Sequence, residues 1–210
     1  MEQERLNRLA DALHRHQIGC TAIASSNELH HLLESKIPKG SVVAFGGSVT
    51  LTETNTLTLL REWDKIGRIT LLDRSKPGLS TEEIDDLLRR SFFADIYLTS
   101  VNALTEDGFL YNVDGNGNRV AAMIFGPKKV IVIAGTNKLV SSREEAVERV
   151  RRIAAPKNAK RLQRSTPCVK IGHCCDCLNP DRICCSYTFF GLQRDPNRMQ
   201  VILIDEVLGY

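Results

Sequence analysis

The sequence lacks the features of a membrane or secreted protein. No uninterrupted apolar run approaches the roughly 20 residues that a helix needs to cross a bilayer. Residues 1–19 are rich in charge and contain no apolar core of about 7–15 residues, which a secretory signal peptide requires. We therefore expect a cytoplasmic protein without a membrane partner, in a compartment where thiols stay reduced.

Signatures of nucleotide and nucleic-acid binding are also missing. The glycines after Phe45 form neither a Walker loop nor the G-x-G-x-x-G pattern. The net charge is only +3, and the basic stretch 149–170 contains no aromatic side chain that would stack on a base. We expect no nucleic-acid partner and interpret the basic stretch as a solvated helix face.

What the sequence does have is an alternation of short apolar runs with segments of helical period. Its composition, 42% hydrophobic and 25% charged, is that of a globular domain. The runs that predict strands are residues 20–24, 42–45, 69–72, 96–98, 109–113, 130–134 and 201–204. Helix starts are indicated by a hydroxyl residue and a glutamate three positions later, at Ser25, Thr50, Ser80 and Ser141. The pattern predicts one α/β domain over residues 1–210, with a mostly parallel sheet and helices on both faces.

Residues 156–197 differ from the rest of the chain. They contain six of the seven cysteines and four of the seven prolines, with little helical period. The apolar run 201–204 follows them and is expected to return to the main sheet. We therefore predict a small cysteine-rich, metal-binding lobe inserted before the last strand.

The cysteines of this lobe are the strongest local signal. Cys168, Cys174, Cys177 and Cys184 have the spacing C-x5-C-x2-C-x6-C, and thiolates select zinc or iron–sulfur clusters over hard cations. A structural zinc site usually joins two C-x2-C pairs, whereas only one is present here, which favours a [4Fe–4S] cluster slightly over zinc. His173 is a substitute ligand. The alternative is that the thiols are simply small buried hydrophobic groups. Six cysteines within eighteen residues, beside charged neighbours, argue against this alternative.

Polar residues follow several predicted strands and form a second candidate site. The carboxyl ends of parallel strands meet at one edge of a sheet, where α/β proteins bind ligands. We therefore expect a pocket for a small anionic metabolite at this edge, although each of these residues also suits an ordinary turn or helix cap. Its predicted ligand-binding residues are Gly46, Gly47, Ser48, Thr50, Thr99, Asn102, Asn112, Asp114, Asn118, Arg119, Asn137 and Lys138.

Two residues of this region are candidate catalytic groups. Lys138, with Arg119, would neutralise a carboxylate or phosphate of the ligand. Glu106 is the candidate acid, base or nucleophile.

Long motifs now bring out a resemblance. The motifs that carry this resemblance are FGGSVTLTETN, ADIYLTSVNALTEDGFLYNVDGNGNRVAAMIFGPKKVIVIAGTNKLV, AAPKNAKRLQRSTPC and VLGY. The chain resembles the LUD-domain family of lactate-utilisation proteins, in the branch with its own cysteine motif. The resemblance implies a fold similar to the ribose-5-phosphate isomerase, CoA-transferase and formyltetrahydrofolate cyclo-ligase group. By this resemblance, the motif positions of the family correspond in this chain to Gly46, Gly47, Ser48, Glu53, Thr99, Ser100, Asn102, Thr105, Glu106 and Gly108. Asn55 stands where the family usually has glycine, and Cys175 and Cys185 are additional to the four-cysteine pattern.

The residues and the resemblance together leave several functions open, and they do not decide whether the chain is an enzyme. The first is an iron–sulfur accessory to the oxidation of lactate or a related hydroxy acid, with iron–sulfur redox proteins as partners. The second is an isomerase or acyl-transfer-type enzyme that binds a phosphorylated or carboxylated metabolite, with a structural zinc. A third is a regulatory module that senses metal or redox state. A homodimer suits a domain of this size.

Overall fold

The computed structural model describes residues 2–210, with side chains from Glu4 onward, and its centre is a six-stranded sheet. The strands are β1 Gly19–Ile23, β2 Val42–Phe45, β3 Thr70–Leu72, β4 Ile96–Thr99, β5 Ala103–Thr105, β6 Leu110–Asp114, β7 Lys129–Gly135, β8 Leu139–Val140, β9 Ser186–Phe190 and β10 Met199–Ile204. The large sheet has the order β1-β10-β7-β4-β2-β3, and every pair in it is parallel. The predicted parallel α/β sheet is therefore confirmed.

Helices lie on both faces of this sheet. They are α1 Glu2–Arg15, α2 Ser26–Lys36, α3 Val49–Glu53, α4 Thr56–Lys65, α5 Thr81–Arg90, α6 Asn118–Ile124, α7 Arg143–Arg149, α8 Ala155–Arg161 and α9 Pro167–Ile171. Alternate residues of one strand point to opposite faces. In β7, Val130 and Val132 pack with α1 and α6, whereas Ile131 and Ile133 pack with α2 and α4. Both faces are therefore buried, which explains the nearly continuous apolar runs of the central strands.

A second, four-stranded sheet has the order β8-β5-β6-β9. Strands β5 and β6 form an antiparallel hairpin, β9 pairs antiparallel with β6, and β8 pairs parallel with β5. One face of this sheet joins the main core through Leu104 and Leu110, and the other packs Tyr111 against α7 and the π-helical turn Val150–Ala154 that follows it. Strand β9 places part of the cysteine-rich segment on the edge of this sheet.

The sequence prediction of the local elements was right for seven strands and missed three. The seven predicted runs form β1, β2, β3, β4, β6, β7 and β10, with ends that differ by at most one or two residues. Strands β5, β8 and β9 were not predicted. Two of them have only two or three residues, and β9 alternates between half-buried and exposed positions.

Two of the four predicted helix starts are correct. Ser25 with Glu28 and Ser80 with Glu83 form capping boxes. The Thr50 prediction was wrong because Ser48 caps α3, accepting a hydrogen bond from the Leu51 amide. The Ser141 prediction was displaced by one residue, since Ser142 caps α7 and accepts from the Glu145 amide.

The interpretation of the basic stretch as a solvated face was wrong for Arg149, which is buried.

None of the helices within residues 2–210 combines the length and apolarity that crossing a membrane demands.

The central strand β7 provides a test of this core. Ile133→Ala removes a fully buried side chain, and we expect it to lower the free energy of unfolding by about 2–5 kcal/mol, measured by urea denaturation. The matched control is Ile66→Ala, because Ile66 is 74% exposed and its truncation should change stability by less than about 0.5 kcal/mol. Equal effects of the two substitutions would contradict this arrangement of the core.

Candidate functional site

A cleft lies where β2, β4 and β7 end at the carboxyl edge of the large sheet. Its volume is about 270 Å³. Its walls come from the loops after β2, β3, β4 and β6, the turn after β7, the end of α8 and the C-terminal residues. The principal polar lining residues are Gly47, Ser48, Thr50, Arg74, Ser100, Asn102, Asp114, Asn118, Arg119, Lys138, Asn158, Arg161, Arg164 and Tyr210.

Lys138 is the central charged group of the cleft. It lies in the 3-10 turn Thr136–Lys138 that follows β7, and it is only 3% exposed. Its Nζ donates hydrogen bonds to Thr50 Oγ1 at 2.7 Å and to Ser100 Oγ at 2.8 Å. No carboxylate among the described residues forms an ion pair with it. A buried ammonium with only hydroxyl partners is electrostatically unfavourable, so the site favours the neutral amine or an anionic ligand.

The surroundings lower the pKa of Lys138 from its ordinary 10.5 to about 7. Burial is the largest cause, because water no longer solvates the ammonium, and repulsion from Arg149 and Arg119 adds to it. The carboxylate of Glu53 acts in the opposite direction. Both protonation states of Lys138 are therefore populated near neutral pH.

Arg149 forms the support behind Lys138. Its guanidinium donates to the backbone carbonyls of Asn102 and Asn137, which joins the loops after β4 and β7. Burial lowers the pKa of Arg149 below its ordinary value. The helical period of α7 offers no signal that this arginine, unlike the exposed ones near it, turns inward.

Arg119 braces the opposite wall. Its guanidinium pairs with Asp114 at 2.6 Å and donates to Asn102 Oδ1 at 2.8 Å and to the Ser100 carbonyl at 3.2 Å. The charge of Arg119 is therefore balanced inside the protein. Its main contribution is to hold the Ser100–Asn102 loop against β6, rather than to supply the free positive charge expected from the sequence.

Two other arginines face the cleft without a carboxylate partner in the described part of the chain. Arg74, from the loop after β3, lies beside Gly47, where an added Cβ would be 3.4 Å from Arg74 Nη2. Arg161 donates to neutral oxygens only, those of Asn158 and the Tyr210 hydroxyl. Together with Lys138 they give the cleft an excess of positive charge. Sequence reasoning did not select Arg74 or Arg161 for this site.

The C-terminal segment closes the cleft floor through Gly209. This residue has φ of +61°, and a Cβ here would lie 2.7 Å from Thr50 Oγ1 and 3.3 Å from Lys138 Nζ. Only glycine lets the backbone pass this close to the two side chains. Its amide donates to the Glu53 carboxylate, and Asn137 Oδ1 accepts from the Leu208 amide at 3.1 Å.

The structure brings most of the predicted ligand-binding residues together. The residues in the cleft wall are Gly47, Ser48, Thr50, Asn102, Asp114, Asn118, Arg119 and Lys138. The predicted residues outside this wall are Gly46, Thr99, Asn112 and Asn137. Gly46 packs against Tyr97 and Thr99 beneath the cleft, and Asn137 holds the C-terminal segment.

Asn112 and Glu106 lie apart from the cleft. Asn112 is fully buried in the second sheet, and its amide has no hydrogen-bond partner among the described residues. The Glu106 carboxylate pairs with Arg5 at 2.6 Å and Arg8 at 3.7 Å, both on α1. Strand β5 separates Glu106 from Asn102, so the structure does not bring Glu106 to Lys138.

The four predicted metal-binding cysteines line one small cavity. Cys168, Cys174, Cys177 and Cys184, together with Cys175, surround a space of about 20 Å³. Ile183 lines both this cavity and the cleft, so the two sites share a wall. Cys185 and His173 are outside the lining, and the His173 ring contacts the Ile171 carbonyl.

Thiolates are ligands that zinc and iron prefer. The arrangement of these thiols, however, is not that of a metal site. Their cavity holds about one water molecule, less than a four-iron cluster occupies. Across the described residues, no three His, Cys, Asp or Glu side chains come together as a group that could hold a metal ion. The four-cysteine metal site therefore stays a prediction.

A family model and several solved structures are similar to this chain. A family model described as the LUD domain matches residues 6–204. The crystal structure of a DUF162 family protein from Deinococcus radiodurans is similar at 16% identity and a TM-score of 0.54, covering 97% of this chain and 98% of that one. A ribose 5-phosphate isomerase A from Methanocaldococcus jannaschii is similar at 15% identity and a TM-score of 0.38, covering 57% and 56%. No curated protein matches the chain.

The lowered pKa of Lys138 gives a test of its burial. Between about pH 7 and 10.5 the unfolded chain holds a proton on this amine that the folded chain does not, so Lys138 contributes up to about 1.4 kcal/mol of additional stability per pH unit there. Lys138→Met removes this contribution. We expect the stability of the variant, relative to wild type, to fall as pH rises from 7 to 9 in urea denaturation.

The matched control for this measurement is Lys157→Met, since Lys157 is exposed on α8. Its stability should run parallel to that of wild type across the same range. Parallel profiles for Lys138→Met as well would contradict the buried position of its amine.

Proposed function

Since the chain belongs to the LUD-domain family, we propose that its cleft binds a small phosphorylated or carboxylated metabolite. In this proposal Lys138 is the acid–base group of an isomerase or acyl-transfer-type reaction. The observation that carries it is the buried Lys138 amine, which has no carboxylate partner among the described residues. The cleft that it faces also contains Arg74 and Arg161, which likewise lack one.

Charge supports an anionic ligand. Arg74 and Arg161 lie in the lining together with Lys138, and none of the three pairs with a described carboxylate. A phosphate or carboxylate would compensate the desolvated ammonium and accept hydrogen bonds from the planar guanidinium groups. Binding would therefore be stronger when Lys138 is protonated.

Size supports a small ligand. The cleft volume of about 270 Å³ lies below the roughly 300–1,000 Å³ of sites for drug-sized molecules. Amide and hydroxyl groups of Asn102, Asn118 and Ser48 line it and can orient a polar metabolite. A general acid–base group is most effective when its pKa is near the working pH, as that of Lys138 is.

Anion binding can be tested by thermal unfolding. We expect inorganic phosphate and members of a panel of small carboxylates and phosphate esters to raise the Tm of wild type. At a ligand concentration of 100 times the Kd, the free energy of unfolding should rise by about 2.7 kcal/mol. The shift should be larger at pH 6 than at pH 8, because protonated Lys138 attracts the anion. The double variant Arg74→Ala, Arg161→Ala should lose most of the shift.

The matched control is Arg152→Ala, because Arg152 is exposed, pairs with Glu148 and does not line the cleft. It should retain the full stabilisation. If no anion of the panel raises the Tm of wild type, or if the double variant responds as wild type does, the proposal is wrong.

A second candidate function rests on the cysteines. In this proposal Cys168, Cys174, Cys177 and Cys184 hold a [4Fe–4S] cluster or zinc, and the protein is a cytoplasmic accessory to oxidation of lactate or a related hydroxy acid. Its partners would be iron–sulfur redox proteins. The supporting observation is that these four thiols line one cavity beside the cleft. A bound cluster would supply one-electron transfer.

Metal analysis distinguishes an iron–sulfur cluster from a structural zinc at these thiols. We expect protein purified without oxygen to carry iron, with visible absorbance bleached by dithionite, or zinc if the site is structural. Cys177→Ser should lose the metal, and Cys20→Ser should retain it, because Cys20 lies on β1 away from the other thiols. The absence of stoichiometric iron and zinc from wild type would refute a metal role.

A further inference from the structure

We infer that Ser100 is a nucleophile activated by Lys138, and that the substrates are small anionic carboxylic acyl derivatives: esters, thioesters or amides. The inference rests on the proposed function of the cleft and selects acyl transfer over isomerisation. It assigns to Ser100 a role that neither the polar-loop pattern nor the family motif specifies.

The geometry of the pair is that of a nucleophile and its base. Ser100 Oγ lies 2.8 Å from Lys138 Nζ, within the roughly 2.6–3.2 Å over which a base takes a proton from a hydroxyl. Both residues line the cleft, and each is only 2–3% exposed, so an acyl group has to enter the cleft fully to meet the hydroxyl. Ser100 directly follows β4, the position at which parallel sheets present reactive side chains.

Lys138 is suited to act as the base. Its ammonium is desolvated, no carboxylate in the described part of the chain forms an ion pair with it, and the Glu53 carboxylate offsets only part of the desolvation, so the neutral amine is accessible near pH 7. A neutral lysine takes the part that histidine has in the more familiar serine hydrolases. The same contact with a protonated, carboxylate-paired lysine would have no such use.

Surrounding groups hold the pair in place. Thr50 Oγ1 accepts from Lys138 Nζ at 2.7 Å and donates to the Leu208 carbonyl at 3.4 Å, so Thr50 is a positioning residue. Arg119 fixes the other partner by donating to the Ser100 carbonyl. Thr50 is the weaker nucleophile candidate because the Gly209 backbone lies against its hydroxyl. A Cβ added at Gly209 would be only 2.7 Å from Thr50 Oγ1.

The chemical steps balance without an oxidant or a cofactor. Ser100 Oγ bonds to the acyl carbon while its proton passes to the neutral Lys138 amine. The alcohol, thiol or amine leaving group departs with that proton and leaves an acyl ester on Ser100. Water then attacks the ester and its proton passes to Nζ. That proton moves on to Ser100 Oγ as the carboxylic acid leaves, which restores the serine hydroxyl and the neutral amine.

The first test is covalent labelling with 4-nitrophenyl acetate, followed by intact-protein mass spectrometry and peptide mapping. We expect one acetyl group per chain on Ser100, formed at a rate that rises with pH through about 7 as Lys138 loses its proton. Ser100→Ala should form no adduct at this site. Lys138→Met should label at least about 100-fold more slowly, the usual contribution of a general base.

Control variants separate this result from a folding defect. Ser35→Ala, on the exposed face of α2, should label as wild type does. Ser100→Cys should label again, through its thiol, because it keeps a nucleophile beside Lys138. The circular dichroism spectrum of Ser100→Ala should match that of wild type, which shows an intact fold.

Three outcomes would overturn the inference. They are acetylation of Lys138 in place of Ser100, equal labelling of wild type and Ser100→Ala, and the absence from wild type of both an adduct and a 4-nitrophenol release that depends on Ser100. If one of them occurs while phosphate still raises the Tm, acyl transfer through Ser100 fails and anion binding by the cleft stands. Loss of the phosphate effect in wild type would instead remove the proposed function itself.

Discussion

The site depends on one electrostatic constraint, the burial of the Lys138 amine without a carboxylate partner in the described chain. Among the described residues its direct polar contacts are two hydroxyls, Thr50 Oγ1 at 2.7 Å and Ser100 Oγ at 2.8 Å. Taking an ammonium out of water is costly, and hydroxyls compensate only part of that cost. The protein therefore holds a lysine that readily loses its proton or attracts an anion, and both properties follow from the same desolvation.

The loops around Lys138 are held by two guanidinium groups, those of the buried Arg149 and the half-buried Arg119. Arg149 joins the carbonyls of Asn102 and Asn137, and Arg119 joins Ser100, Asn102 and Asp114. Each guanidinium satisfies several acceptors in a fixed planar geometry, which a lysine could not do. These arginines also repel the Lys138 ammonium. Positioning of the reactive groups and tuning of the pKa of Lys138 thus come from the same side chains.

The cysteine segment and the cleft are mechanically connected. Ile183 lines both cavities, and the Cys185 amide donates to the Asp114 carbonyl at 2.8 Å. Ion pairs between Arg151 and Asp176 and between Arg164 and Asp181 fasten the segment to α8 and its neighbours. A change in the arrangement of the thiols would therefore reach the cleft wall directly.

The sequence by itself determined the parallel sheet, the order of its main elements and most of the cleft loops, because burial on both faces leaves apolar runs and polar residues follow them. Tertiary structure alone decided the rest. The short strands β5 and β8 have too few residues for a periodic signal. Glu106 and Ser100 are equally polar loop residues, yet Glu106 pairs with α1 and Ser100 meets Lys138, 38 positions away. Periodicity records which residues are buried, and only packing between distant segments determines which of them touch.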